Sequence, residues 1–346
     1  MRKSFLAVLC VAMTAGGAEL RPPSVPIVSC DPYFSIWSGA DAPNLVDTEI
    51  WHGAKQPVSV EIELDGVRYR LLGKGHGGHS ELSAGKTWSI GSRRSADRPA
   101  LRCVRTEVRP LTSVYTFTDG AAEVRLSFMT PKMADELDVF SRPVTYATVE
   151  TSGARKVRVF AEISPALATD DDSAEMVTNR FEVAGMPAYS IGRKEQTPLV
   201  RYGDCVRCDW GYACLVNPVS EGTSAHFMLA YDDVKTLQFL DREVPAWWRR
   251  GGKPFRTMLE EAAADRERLR AKADRFDAAL SSELERVGGV RYRELAALAY
   301  RQSFAACKLV AGPDGQPLYF SKENSSNGCI GTVDVFYPQL PLLLLT

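Results

Sequence analysis

The sequence lacks several features that would settle a function class at once. It has no Lys/Arg-rich arm and no basic run: 42 basic residues stand against 43 acidic ones, for a formal net charge of -1. Binding nucleic acid requires a clustered positive surface, so that class of partner is excluded. No apolar run approaches the roughly 20 residues that a membrane-spanning helix needs, so no transmembrane segment is expected. Spaced metal ligands are missing too. His76 and His79 sit in a glycine-rich stretch (GKGHGGHS) that reads as a solvated loop. Cys205 and Cys208 form a C-x-x-C with Cys214 nearby, yet no fourth ligand follows at zinc spacing unless folding brings in His226 or Asp209. A local disulfide or plain thiols are expected there, with no metal and no cofactor. Asp170, Asp171 and Asp172 lack the spaced oxygen ligands of a calcium loop and read as a solvated acidic run. Alternating strand–helix units are also absent, which argues against a parallel α/β fold.

What is present begins with a targeting segment. Arg2 and Lys3 precede an apolar stretch over residues 5–13, and small residues up to Ala18 complete the layout of an export signal over 1–18. Leu9, before Cys10, is not the small residue that lipid attachment requires, so anchoring as a lipoprotein ranks behind a periplasmic or secreted form. Cysteines beyond Cys10 form an odd set. In an oxidising compartment at least one thiol then stays free or pairs between chains.

At 346 residues the chain exceeds what one core usually organises, and two regions are expected. The first, over 19–245, is β-rich. An aromatic cluster (Tyr33, Phe34, Trp37) reads as a strand covering the core. Val58, Val60, Ile62 and Leu64 alternate with polar residues, Asp65 and Gly66 turn the chain, and Val67, Tyr69 and Leu71 alternate back, the pattern of a hairpin. Strand patterns follow over 101–108, 113–118, 122–129, 145–151, 156–163, 181–184, 212–216 and 225–230, with turn residues between several of them, as in an antiparallel β-sandwich. The second region, 246–346, opens with a hinge at residues 247–252. Phe255, Met258, Leu259, Ala262, Leu269, Ala273, Phe276 and Leu280 then recur at helical spacing until Gly288 and Gly289 stop the helix. A second helix is expected over 291–310, burying Tyr292, Leu295, Ala299, Phe304 and Cys307, with a turn at Pro313, Asp314 and Gly315 after it.

The last part of the chain is the most polar and the most distinctive. Lys322, Glu323, Asn324, Ser325, Ser326 and Asn327 form one hydrogen-bonding block between apolar flanks, followed by Gly328, Gly331, Asp334 and Tyr337. Polar loops anchored at both ends are where binding and catalysis concentrate. The apolar run after Pro341 has nothing left to cover it, which reads as a chain cut off within its helical region.

With these segments assembled, the chain resembles the secreted glutaminase A family. The resemblance is carried by RPPSVPIVSCDPYFSIWS from Arg21, WHGAKQPVSVEIELDGVRYRLLG from Trp51, SRPVTYATVE from Ser141, HFMLAYDD from His226 and LAALAYRQ from Leu295. The longest and most specific stretch is SKENSSNGCIGTVDVFYP from Ser321. Cys30 departs from the pattern, which would have histidine there. The resemblance implies an N-terminal antiparallel β-sandwich followed by the start of an (α/α)6 six-hairpin toroid, and an activity converting L-glutamine to L-glutamate and ammonia. Glycoside hydrolysis on the same toroid is the alternative enzyme, and a non-catalytic carbohydrate- or peptide-binding β module the alternative outside enzymes. The expected ligand is accordingly a small molecule or a glycan.

If such a toroid acts as its glycosidase relatives do, two carboxylates activate water directly. Glu323 and Asp334 are the only carboxylates in the polar segment and are expected to serve as acid and base. Asn324 and Asn327 would orient the amide, Tyr337 would act as acid or oxyanion donor, and Lys322 would join the binding residues. The bland alternative has Glu323 paired with Lys322 or Arg301 and Asp334 at a helix start. Other nucleophiles rank lower. Ser83 and Lys86 fit S-x-x-K without a helical context, and Cys329 has no histidine near it in sequence.

Overall fold

The computed structural model describes residues 20–74, 81–82, 86–87, 98–152, 156–198, 200, 205, 207–322 and 330–345. His76, His79 and Ser83 lie outside these. In chain order the elements are β1 (Val25–Ser29), β2 (Ser35–Ser38), β3 (Val58–Leu64), β4 (Val67–Leu72), β5 (Glu81–Leu82), β6 (Lys86–Thr87), β7 (Arg102–Val108), β8 (Thr112–Thr118) and β9 (Glu123–Met129). Next come α1 (Leu137–Ser141), β10 (Val144–Thr151), β11 (Arg158–Ile163), β12 (Met176–Val183), β13 (Met186–Arg193), β14 (Tyr212–Glu221), β15 (Ser224–Asp232), β16 (Leu237–Phe239) and β17 (Arg242–Val244). The last four are α2 (Phe255–Ala305), β18 (Cys307–Ala311), β19 (Pro317–Ser321) and α3 (Val333–Leu345).

The hairpin read from alternation is β3–β4. Leu64 pairs with Val67 at its tip, and Asp65 and Gly66 take φ of 50° and 82°, as a tight turn between twisted strands requires. Beside it β11 completes a three-stranded sheet in the order β11-β3-β4. A wide antiparallel sheet of eight strands runs β12-β13-β14-β15-β10-β9-β8-β7. Val60, Ile62 and Leu71 of the small sheet meet Phe117, Leu126, Phe128 and Leu229 of the wide one, forming the sandwich core.

The opposite face of the wide sheet is apolar as well. Tyr146, Val216, Met228 and Ala230 pack against Met258, Leu259, Ala262, Leu269 and Ala273 of α2. The architecture is therefore three layers: small sheet, wide sheet, helix. Strand β15 shows the consequence, since Phe227, Leu229 and Tyr231 enter one core while Met228 and Ala230 enter the other. A strand buried on both faces reads as a nearly continuous apolar run. Ion pairs at the rim hold α2 in register: Arg142 reaches Glu261 at 3.0 Å and Asp265 at 2.7 Å, and Arg270 reaches Glu150 at 2.6 Å. The Leu111 amide donates to Asp277 Oδ1 at 2.7 Å, and burial pushes that carboxyl up to about 6.

Helix α2 begins after Pro254 and is broken by a kink at Gly289, where φ is 77° and ψ is -178°. The glycine stop expected at residues 288–289 is thus a bend, after which the helix resumes. Its second half differs from expectation in two ways. Helical structure ends at Ala305 instead of continuing to residue 310, because Cys307, Leu309 and Ala311 pair with Ser321, Tyr319 and Pro317 across the β18–β19 hairpin. The buried face also differs: Tyr292 and Leu295 are 45% and 57% exposed, and Ala299 is exposed, whereas Leu298, Tyr300, Arg301 and Phe304 are buried. Two polar anchors set that rotation. Arg301 Nε donates to Ser29 Oγ at 2.9 Å, and the Tyr300 hydroxyl donates to the Lys132 carbonyl at 2.8 Å.

Other expectations are corrected nearby. The hinge at Trp247–Gly252 is a pinned 3-10 turn with Trp248 buried, and Arg250 reaches Asp138 at 2.9 Å. Asp170 pairs with Arg207 at 2.7 Å instead of standing in solvent. For the C-x-x-C pair, the plain-thiol alternative is the one found: Cys205 and Cys208 are free thiols, and Cys208 Sγ accepts the Tyr231 hydroxyl at 2.6 Å. Among the described residues no helix is long and apolar enough to cross a membrane.

Gly289 combines a positive φ with an extended ψ, a region in which side-chain-bearing residues are strained by about 1–3 kcal/mol. An added methyl there would touch nothing within 4 Å, so any loss comes from the backbone alone. Gly289→Ala is expected to lower stability by ~1–3 kcal/mol in urea unfolding; unchanged stability would show that the two halves straighten without penalty.

Candidate functional site

The polar segment singled out from sequence hangs from the β18–β19 hairpin. One face of that hairpin, with Val310, Leu318 and Phe320, packs on Leu237, Phe239 and Val244 of the β16–β17 ribbon. On the other face Tyr319 lies edge-on to Phe140, with ring centroids 6.0 Å apart. Beyond β19 the Lys322 amide donates to the Ala306 carbonyl at 2.9 Å, and the Gly331 amide returns to the Ser321 carbonyl at 2.7 Å. Lys322 and Ile330 form an antiparallel bridge. Both feet of the loop are therefore held together against the end of α2.

Glu323, Asn324, Asn327 and Cys329 lie outside the described residues. Lys322 is buried, with its ammonium 5.5 Å from the centre of the Tyr33 ring. Asp334 stands exposed in the first turn of α3, where the helix dipole favours a negative charge. Tyr337 follows three residues later and is 74% exposed. Helix α3 is anchored through Cys307 Sγ, which donates to buried Gln339 at 3.3 Å. Arg301, weighed as a partner for Glu323, donates through Nε to Ser29 Oγ.

A buried ionic junction beside this foot was not singled out from sequence. Lys308 on β18 reaches Asp31 at 3.0 Å and Asp233 at 2.9 Å. Asp31 Oδ1 accepts the amides of Tyr33 and Phe34 at 2.9 Å and 3.1 Å, so the Asp31-Pro32-Tyr33-Phe34 turn is built around this carboxylate. Asp233 follows the end of β15. A lysine inside the apolar strand CKLVA was the available signal, since buried lysines are nearly always paired. Lys132 lies close by, buried and donating to the Phe140 carbonyl at 2.7 Å; burial lowers its pKa. Burial also pushes the thiols of Cys30 and Cys307 up, to about 12 and about 11. Both stay protonated at neutral pH and are poor nucleophiles.

His52 is the titratable group of most chemical interest near the foot. Its Nε2 is buried without a hydrogen-bond partner among the described residues. Burial lowers its pKa, and the charges of Arg207 and Lys322 act in the same direction. A neutral imidazole is a competent proton acceptor.

A β region of layered antiparallel sheets leading through a long helix into a six-helical-hairpin domain defines the class of this protein. Three family models match successive parts of the chain: a domain of unknown function (DUF4964) over residues 7–77, another (DUF5127) over 111–222, and the glutaminase A six helical-hairpin domain over 289–346. A probable glutaminase of Arthroderma benhamiae is 21% identical, covering 98% of this chain and 47% of that protein. Glutaminase A of Aspergillus oryzae is 23% identical, covering 99% of this chain and 57% of that protein. The chain is similar to the glutaminase A family and spans about half the length of the curated relatives it matches. The match to the six-hairpin domain begins at the Gly289 kink.

The junction has a definite pH signature. Burial by itself would raise Asp31, but Lys308 and the turn amides outweigh it and hold the carboxyl below its ordinary range. That contribution is present above the unfolded-state value near ~4 and is lost as pH falls through the folded-state value. Lys308 is the reverse case: burial would lower it, yet the two carboxylates raise it, so its contribution is complete below ~10.4 and disappears only in strong alkali. Lys308→Met leaves two buried carboxylates facing each other and is expected to lose ~3–5 kcal/mol at pH 7. Part of the loss should return between pH 7 and pH 5 as one carboxyl takes up a proton, opposite in sign to the wild type. Urea unfolding at the two pH values reads this, and an identical loss at both would show that the carboxylates do not share a buried site.

Proposed function

We propose that this protein hydrolyses the side-chain amide of L-glutamine, giving L-glutamate and ammonia, at a site built on the polar segment from Lys322 to Tyr337. The observation that carries the reading is the closure of that segment at its base, with Lys322 bridged to Ile330 beside the Asp31–Lys308–Asp233 junction. Holding both feet of the segment fixes its points of attachment, a condition for catalysis by positioning. The names of the two fungal relatives support the same reaction. The charged and apolar amino-terminal residues support export.

In this reading Glu323 and Asp334 divide the acid and base work. One draws a proton from water as the water oxygen bonds to the amide carbon. The other gives a proton to the nitrogen as the C–N bond breaks and ammonia leaves. Asn324 and Asn327 orient the amide, and Tyr337 donates to the developing oxyanion. Lys322, buried at the start of the segment, contributes positive charge, and neutral His52 offers a further proton acceptor near it.

The test is ammonia release from L-glutamine by the full-length protein. Glu323→Gln and Asp334→Asn are each expected to reduce kcat at least ~100-fold with an unchanged unfolding midpoint. A near-normal rate in either variant removes that carboxylate from the mechanism.

A further inference from the structure

The first half of α2 carries a buried carboxyl that the polar segment does not use. Asp277 is 2% exposed and stands where three parts of the fold meet. The first is the β7–β8 turn, closed by the Arg109 amide donating to the Thr112 carbonyl at 2.8 Å. From that turn the Leu111 amide donates to Asp277 Oδ1 at 2.7 Å, and the Thr112 side chain supports the carboxylate as well. The second is the half of α2 beyond the Gly289 kink, from which Arg301 faces Asp277 with a guanidinium that is itself buried. The third is the first half of α2, on which Asp277 sits. Burial lowers Arg301 to about 10, and Asp277 is the charge acting most strongly against that.

The other charges around this joint are engaged with one another. Glu107, with Asp277 and Asp274 behind it, favours the charged form of Arg109, whose Nε donates to Glu107 at 2.8 Å. Arg105 stands 3.7 Å from Glu107, and Arg293 pairs with Glu294 at 3.3 Å. The Tyr300 phenol is pushed up by burial and by the Asp277 charge, and its hydroxyl donates to the Lys132 carbonyl at 2.8 Å.

We propose that Asp277 is a pH-sensitive latch between the β7–β8 turn and the two halves of α2, neutral and closed in mild acid, ionised and weakened toward neutral pH. Burial favours the neutral acid, whereas Thr112, the Leu111 amide, Arg301 and Arg109 favour the anion. Burial prevails, and the group titrates at about 6 instead of the ~3.9 of an exposed aspartate. A carboxyl raised in this way contributes stability that is complete below ~3.9 and is lost as pH rises through the folded-state value. Opening the joint lets water reach the carboxylate, so ionisation makes that local opening easier. The effect passes along the chain, because the second half of α2 ends beside Ala306, whose carbonyl holds the Lys322 amide at 2.9 Å.

The experiment is hydrogen exchange on the full-length protein from pH 4.5 to pH 8.5, corrected for the intrinsic rate at each pH. Peptides covering Leu111 and residues 297–305 are compared with the β3–β4 hairpin, which lies in the other core. Protection of the first two should fall ~10-fold between pH 5 and pH 7.5, while the hairpin does not change. Asp277→Asn keeps an acceptor for the Leu111 amide and should abolish the fall. Arg109→Gln, which retains the carboxyl but removes a cation that favours its anion, should move the midpoint of the fall to higher pH. Protection that is flat with pH, a fall shared equally by the β3–β4 hairpin, a fall that persists in Asp277→Asn, or an unmoved midpoint in Arg109→Gln would each overturn the proposal. None of these readings depends on hydrolysis of glutamine.

Discussion

A sheet that is apolar on both faces cannot leave either of them in water, and the wide sheet of this protein is such a sheet. Each large side chain buried on it contributes about 1.5–3 kcal/mol relative to exposure, so both covers are obligatory. The small sheet supplies one cover and α2 the other. Because α2 must stay along the strands to cover them, its path is fixed from outside the helix. Rim pairs such as Arg142 with Glu261 and Asp265 then set its position along that path.

That constraint passes down the chain to the functional loop. Once the first half of α2 is fixed, the bend at Gly289 and the anchors of Tyr300 and Arg301 direct the second half. Its end delivers β18 into the gap between the wide sheet and the β16–β17 ribbon. There Lys308 is caught between Asp31, from the first hairpin, and Asp233, from the end of β15. Three distant parts of the sequence thus meet at one cation. An apolar contact would tolerate some sliding, whereas an ion held between two carboxylates has direction as well as distance. The polar loop begins fourteen residues beyond that cation and returns to its own foot, so its platform is as well located as the junction beneath it.

The same geometry leaves the bend of α2 with a charged hollow on its strand side, remote in sequence from the polar loop. Covering a sheet with a kinked helix creates such a space because the two halves cannot both lie flat on one twisted surface.

Local chemistry alone determined a good part of this protein. Period-two alternation and an Asp-Gly pair specify the β3–β4 hairpin, since a tight turn between twisted strands needs positive φ. Helical spacing from Phe255 and the glycine pair at 288–289 specify a helix and its interruption, and the motif around SKENSSNG marks the polar segment and carries the resemblance to the glutaminase A family. Tertiary structure decided the rest. Residues 307–311 are apolar enough for helix or strand, and they become a strand because β19 and two cores receive them on either side. Tyr292 and Leu295 fit a buried helical face by spacing, yet it is Tyr300 and Arg301 that turn inward, toward partners 168 and 272 residues away. Lys308, Asp31 and Asp233 carry no mark of one another in sequence, because an ion pair is defined by distance in space, and only the completed fold brings them within 3.0 Å.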